Sequence, residues 1–254
     1  MSGGKAAHSR HTAQQPGQLA PRSAGDAQSL SAVASYTFAH AGRQIRLGPV
    51  AFWIFVGSVV GTNEDEFVDV ARILDRAGVS IVELNLADDY VTKSVAPFAS
   101  FERLKSLLGR VRGETGCVLA VKVPARIPFE PRAIADLFKS MRIAIAVCAN
   151  DLPKDLSVDI ASGAVQGPAR TLSQAHAFFK ESESLLDVVA VGGINTGRDA
   201  YVAHLTGAKA VQVGSALMKE GAGALGRIDR ELSLLGEHSH KSVSEIVGKV
   251  RFTE

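Results

Sequence analysis

The stretch that decides the fold is Val188–Met218, VVAVGGINTGRDAYVAHLTGAKAVQVGSALM. Asp187–Val191 is a short apolar run rich in valine, the pattern of a strand buried on both faces. Gly192-Gly193 follow it, and without a Cβ the backbone there can turn tightly and approach a ligand. Asn195 or Thr196 can cap a helix from about Gly197 to Leu205, which Gly207 ends. Ala208–Val213 is a second buried strand, closed by Gly214-Ser215. Two parallel strands therefore deliver two glycine-bearing turns to one end of a sheet. Free backbone N–H groups at such turns and at helix N-termini bind phosphate. One such turn alone is more often only a βα connection. Two of them, about 20 residues apart, favour a phosphate site, because the last two strands of a (β/α)8 barrel build one in this way.

The bulk numbers fit such a fold. A chain of 254 residues holds one α/β barrel or two small domains. With 46% hydrophobic and 21% charged residues it reads as a soluble globular protein. A net charge of +2 gives no field to draw in nucleic acid or an acidic membrane surface. No apolar run reaches ~18 residues, so no membrane span is expected. Cys117 and Cys148 each lie in an apolar run, which predicts buried, reduced thiols and no disulfide framework.

Upstream of the opening stretch, strands and helices alternate, as a parallel sheet requires. Six core strands are expected, at 50–58, 80–86, 117–123, 143–149, 187–191 and 208–213. Helices are expected after a Thr62 or Asn63 cap, over 99–111 and 129–140, and from Thr171 or Ser173 to Lys180. Residues 151–168 read as a long loop without a helix, a length that usually marks function. Downstream, helices are expected over 224–235 and 242–250. Residues 36–47 alternate around Ala41-Gly42 as a hairpin would. Residues 1–33 are rich in Ser, Ala, Gln, Gly and Pro without periodicity and read as a disordered tail ahead of one domain at 34–254. No acid precedes Asp26, a composition also compatible with a transit peptide.

Three strand residues stand out. Glu83 and Asn85 share a face of an otherwise apolar strand, so they are either hydrogen-bond hubs or site residues. Asn85 lies near the strand's C-terminal end, where barrel enzymes place their chemistry. Lys122 sits between Val121 and Val123 at the end of its strand, either contacting a ligand or snorkelling to solvent.

Taken together, ELNL at 83–86, VKVP at 121–124, AND at 149–151, SGAVQGPA at 162–169, VGGINTGRDA at 191–200 and GAKAVQVGSAL at 207–217 resemble the dihydroorotate dehydrogenase family in order and spacing. The pattern is most similar to the soluble, fumarate-using class 1A enzymes, down to EIVGKVRF at 245–252. The resemblance implies an FMN-containing (β/α)8 barrel that oxidises dihydroorotate to orotate in pyrimidine (UMP) biosynthesis. It implies a cytoplasmic homodimer with fumarate as electron acceptor and no nucleic-acid or membrane partner. By the same resemblance Gly192, Gly193, Gly214 and Ser215 hold the FMN phosphate, and Gly163 and Gly167 form the glycine loop beside it. Lys122 contacts the isoalloxazine ring, where a positive charge favours the reduced flavin. Asn85 and Asn150 hydrogen-bond orotate.

The departures bear on catalysis. The family continues ELNL with Ser-Cys-Pro-Asn, and that cysteine is its base. Here Asp88 occupies the cysteine position, as a general base or, with Asp89, as part of an exposed turn. Asp151 follows Asn150 where the family has a small hydroxyl residue, and its charge opposes an anionic substrate. Two βα units that the family places before 52–58 are missing, with a lysine and an asparagine that contact flavin and substrate. The expectation is an incomplete barrel with exposed strand edges, remodelled or completed by another chain. The alternative reading is a degenerate, non-catalytic homologue that keeps the scaffold or a phosphate pocket.

Overall fold

The computed structural model describes residues 33–35, 37–39, 56–149, 157–159, 164–166, 172–182, 186–239 and 242–252. Six strands run parallel: β3 (Val56–Val59), β4 (Ile81–Asn85), β5 (Val118–Val123), β6 (Ile145–Ala149), β9 (Asp187–Val191) and β10 (Ala210–Gln212), adjacent in that order. They match the six expected from apolar runs; the first is described from Val56 onward, and 50–55 lie outside the described residues. Two short strands precede them, β1 (Val33–Ser35) and β2 (Thr37–Ala39).

Helices cover the outer face. α1 (Glu64–Arg76) begins at Asn63, whose side chain accepts the Glu66 N–H at 3.0 Å. Glu64, Asp65 and Glu66 sit at its positive end. Phe67, Val70 and Ala71 are buried against the sheet, as the helical spacing predicts. α3 (Phe101–Glu114), α4 (Pro131–Ser140) and α5 (Leu172–Glu181) follow the expected ranges. α2 (Asp89–Ser94) is an addition that the sequence reading leaves out. Leu104, Leu107, Leu119, Val121, Phe138 and Phe178 fill the outer layer between strands and helices. α6 (Gly197–Leu205) packs on α8 (Gly223–Ser239) over a second cluster with Tyr201 at its centre.

The loop expected over 151–168 holds two strands, β7 (Ser157–Asp159) and β8 (Ala164–Gln166), paired antiparallel. β11 (Arg251–Phe252) adds to β8 in parallel, so the C-terminus completes a small second sheet. Three-residue strands carry too little alternation to be read from sequence. For the same reason the expected last helix shrinks to α9 (Val243–Ile246).

The sheet curls until its edges meet one segment. β1 pairs antiparallel with β3, and β2 pairs antiparallel with β10. Only one position separates β1 from β2 in sequence, so two neighbouring three-residue strands serve opposite edges. A side chain inside the curl agrees: the Gln212 amide of β10 donates to the Glu83 carboxylate of β4. The fold is thus an incomplete TIM-type barrel of six parallel strands. Its outermost parallel strands are not bare, because β1 and β2 cover them; the exposed edges expected from the missing units are remodelled. Of the hairpin expected over 36–47, Thr37–Ala39 pairs with β10 and the rest lies outside the described residues.

Candidate functional site

Side chains alternate along a strand, so Glu83 and Asn85 of β4 face inward with Ala120 and Lys122 of β5. The register pairs Asn85 directly with Lys122 at the C-terminal ends of the two strands. The Leu86 N–H donates to the Lys122 carbonyl at 3.1 Å and carries the ladder one step past β4. Both side chains are half-buried at the mouth of the curl. Asn85 Oδ1 is buried and accepts no hydrogen bond among the described residues. A buried acceptor without a donor costs about 1–3 kcal/mol, which makes this oxygen a candidate ligand contact.

Glu83 is the other strand residue singled out, and it is a hub. It is 1% exposed. Ser58 Oγ donates to Glu83 Oε1 at 3.0 Å, and Gln212 Nε2 donates to Oε2. The carboxylate therefore ties β3, β4 and β10 together below the mouth. Ser58 and Gln212 are residues the sequence reading missed; a polar side chain in each apolar strand is the signal that could have found them.

Asp88 lies three residues beyond Asn85. It is half-buried and its backbone carbonyl accepts the Thr92 N–H at 2.8 Å, at the start of α2. Asp88 is accordingly half-buried at the entry to a helix.

The two glycine turns lie side by side, since β9 and β10 pair in parallel with Val191 opposite Gln212. Gly192 and Gly193 have φ of 101° and 71°, a conformation that glycine alone adopts without cost. The Asn195 side-chain amide donates to the Gly193 carbonyl at 2.9 Å and fixes the turn. Across from it Gly214 and Ser215 are exposed, and the space beside Gly214 is open. Ser215 opens α7 (Ser215–Glu220).

Most N–H groups at the N-terminus of α6 are already taken. Thr196 caps it, and the Asp199 carboxylate accepts both the Asn195 N–H at 2.9 Å and the Thr196 N–H at 2.8 Å. Glu231 Oε2 accepts the Gly197 N–H at 2.7 Å. That bond, and Arg227 beside it, hold the Glu231 carboxyl below the usual carboxylate range. Two carboxylates already neutralise the positive end of the helix. The anion-binding candidates narrow to the Gly192-Gly193 and Gly214-Ser215 turns. The T-x-x-D spacing of Thr196 and Asp199 is a capping-box pattern and was legible in the sequence.

Asn150, Asp151, Gly163 and Gly167 lie outside the described residues. Both cysteines are free, as expected; Cys148 is buried, whereas Cys117 is only half-buried because it precedes β5. Among the described residues no group of three or more His, Cys, Asp or Glu could hold a metal ion, and no helix is long and apolar enough to cross a membrane.

The family model for dihydroorotate dehydrogenase matches residues 13–235. The chain belongs to the dihydroorotate dehydrogenase family. Among curated proteins of the family it is 27% identical over 217 residues to a Streptococcus pneumoniae protein named as a probable dihydroorotate dehydrogenase A (fumarate), covering 79% of this chain and 69% of that one. It is 26% identical over 221 residues to the catalytic subunit of dihydroorotate dehydrogenase B (NAD(+)) of Thermoplasma volcanium, covering 82% and 71%. A ligand-free dihydroorotate dehydrogenase structure from Eimeria tenella superposes with a TM-score of 0.60 at 21% identity, covering 73% of this chain. The chain spans 60% of that structure, a shortfall in keeping with six parallel strands where a full barrel has eight.

Proposed function

We propose that this dihydroorotate dehydrogenase family member binds FMN across the mouth of the curl and oxidises dihydroorotate to orotate, a step of pyrimidine biosynthesis. The observation that carries the reading is the buried Asn85 Oδ1, unpaired among the described residues, beside Lys122 at the same mouth as the two glycine turns. The residues fit the cofactor. A phosphate needs N–H donors free of competing carboxylates, and among the described residues no carboxylate bonds the turns at Gly192-Gly193 and Gly214-Ser215. The ring N–H groups of the substrate offer the donor that Asn85 Oδ1 lacks.

FMN supplies a two-electron acceptor for the hydride that leaves C6 of dihydroorotate. Asn85 orients the substrate ring through its acceptor, and Asn150 is assigned the same task. The Lys122 ammonium balances negative charge that develops at the mouth. Asp88 takes the C5 proton in place of the family's cysteine. Gly163 and Gly167 complete the phosphate side. Fumarate serves as acceptor and the working form is a cytoplasmic homodimer, on the class 1A resemblance.

The test is the visible absorption spectrum of the protein after FMN is offered and the excess removed, followed by anaerobic dihydroorotate. Flavin bands that bleach support the reading. Bands that persist support a second one, a non-catalytic homologue with a retained pocket, which the replacement of two βα units by β1 and β2 favours. Absence of bands overturns FMN binding.

A further inference from the structure

We infer that Arg227 is a positioning residue that sets the two glycine turns at a fixed separation and so governs affinity for the phosphate of the flavin. The inference rests on the FMN reading above and adds a residue that touches neither cofactor nor substrate.

Each link is a hydrogen bond. Arg227 lies on α8, one turn before Glu231. Its Nη2 donates to the Asn195 carbonyl at 3.0 Å. Asn195 in turn holds the Gly193 carbonyl at 2.9 Å, so one arm of the guanidinium ends at the first turn. The same Nη2 donates to Glu220 Oε1 at 2.8 Å, and Nε donates to Glu220 Oε2 at 2.9 Å. Glu220 closes α7, a helix of six residues that starts at the second turn. The third nitrogen, Nη1, donates to Glu231 Oε1 at 2.8 Å, and the other oxygen of Glu231 holds the Gly197 N–H. One planar fork therefore grips the loop after β9, the helix after β10 and the start of α6.

The platform under the fork is rigid. A Cβ on Gly197 would sit 2.4 Å from the Leu232 backbone nitrogen, so α6 and α8 touch through their backbones. The fork is also half-exposed, with the Arg227 side chain at 32%. Exposed ion pairs add little to global stability, so its consequence is placement. Lysine cannot replace it, because an ammonium lacks the planar set of donors that reaches three partners at once.

The test uses the full chain, with FMN and riboflavin as probes and quenching of flavin fluorescence as the readout. Riboflavin carries the ring and ribityl chain but no phosphate. Arg227→Lys keeps the charge and the aliphatic stem; Arg227→Ala removes both. The wild type should bind FMN more tightly than riboflavin. Arg227→Lys should raise the Kd for FMN about tenfold, the cost of one lost hydrogen bond to a charged group, with the Kd for riboflavin unchanged. Thermal unfolding checks that each variant is folded, and Arg227→Lys decides if Arg227→Ala is not. Equal FMN affinity in wild type and Arg227→Lys overturns the inference, as does a parallel loss for both flavins. A wild type that binds neither flavin overturns the FMN reading itself, and the inference falls with it.

Discussion

Glu83→Ala tests the interior hub directly. The substitution removes the acceptor of two buried donors, the Ser58 hydroxyl at 7% exposure and the Gln212 amide at 6%. Each stranded donor costs about 1–3 kcal/mol. Relief from burying a carboxylate offsets part of that. A net loss of about 3 kcal/mol is expected, or a Tm lower by about 6–12 °C for a chain of this size. Glu83→Gln should cost under about 1 kcal/mol, because the Ser58 hydroxyl can rotate to accept from the new amide while Gln212 still donates. Gln212→Ala combined with Glu83→Ala should cost less than the sum of the two, by about 0.5–3 kcal/mol, as partners in one network do. Urea unfolding followed by far-UV circular dichroism gives all four values. Additive losses, or a Glu83→Gln variant as damaged as Glu83→Ala, would refute the hub.

Four further outcomes are expected. Lys122→Ala should abolish reduction of bound FMN by dihydroorotate, read as loss of bleaching under anaerobic conditions; surviving reduction removes Lys122 from its role. Gly207→Ala should destabilise by ~3 kcal/mol or more, because φ is +114° there and a Cβ would stand 2.3 Å from the Phe179 ring; denaturant midpoints check it. Burial pushes the Cys148 thiol up to about 12 and, with Asp75 beside it, Cys117 up to about 11, so a thiol reagent at neutral pH should label neither quickly until the protein unfolds. Backbone hydrogen bonds hold Glu66, Asp75 and Glu231 below their ordinary values of 4.5, 3.8 and 4.5. Depressed carboxyls stabilise the fold fully above those ordinary values and lose that contribution as pH falls through the depressed ones. Burial also holds His176 below its ordinary value of 6.5, so thermal stability should begin to fall as pH drops below that value and fall further below about pH 4, and Glu231→Gln should flatten part of the more acidic slope.

The sequence carried most of the frame because the buried parallel strands are continuous apolar runs, and such runs need no context to be read. Asp187–Val191 and the helix Gly197–Leu205 are found where the pattern puts them. What escaped was short or long-range. β7, β8 and β11 are three residues or fewer and owe their pairing to one another. β1 and β2 lie in a stretch whose partners, β3 and β10, are separated by about 150 residues, a pairing no local pattern encodes. The site divides in the same way. Asn85, Lys122 and the glycine turns were visible as polar or flexible residues at strand ends. Arg227, Glu220 and Glu231 were not, because a charged helix surface looks the same whether or not it braces a loop.

The interior explains how six parallel strands can close where the family's architecture uses eight. A full barrel fills its centre with layers of bulky branched side chains, and a narrower curl has less room to fill. The inner cluster here is Ala120, Val147, Val189 and Ala210, with Ile81, Ile145 and Val191 at its margins. Two of its four central residues are alanines, which lets the walls approach. Ser58, Glu83 and Gln212 then meet across the seam where the missing strands would stand, on β3, β4 and β10. The segment from β1 to β2 covers the same seam from its edges. Asn85 and Lys122 lie on β4 and β5, and the glycine turns follow β9 and β10, so remodelling at the seam leaves both halves of the mouth in register. The proposed chemistry of Asp88 and Lys122 falls between those halves, and the flavin spectrum tests it.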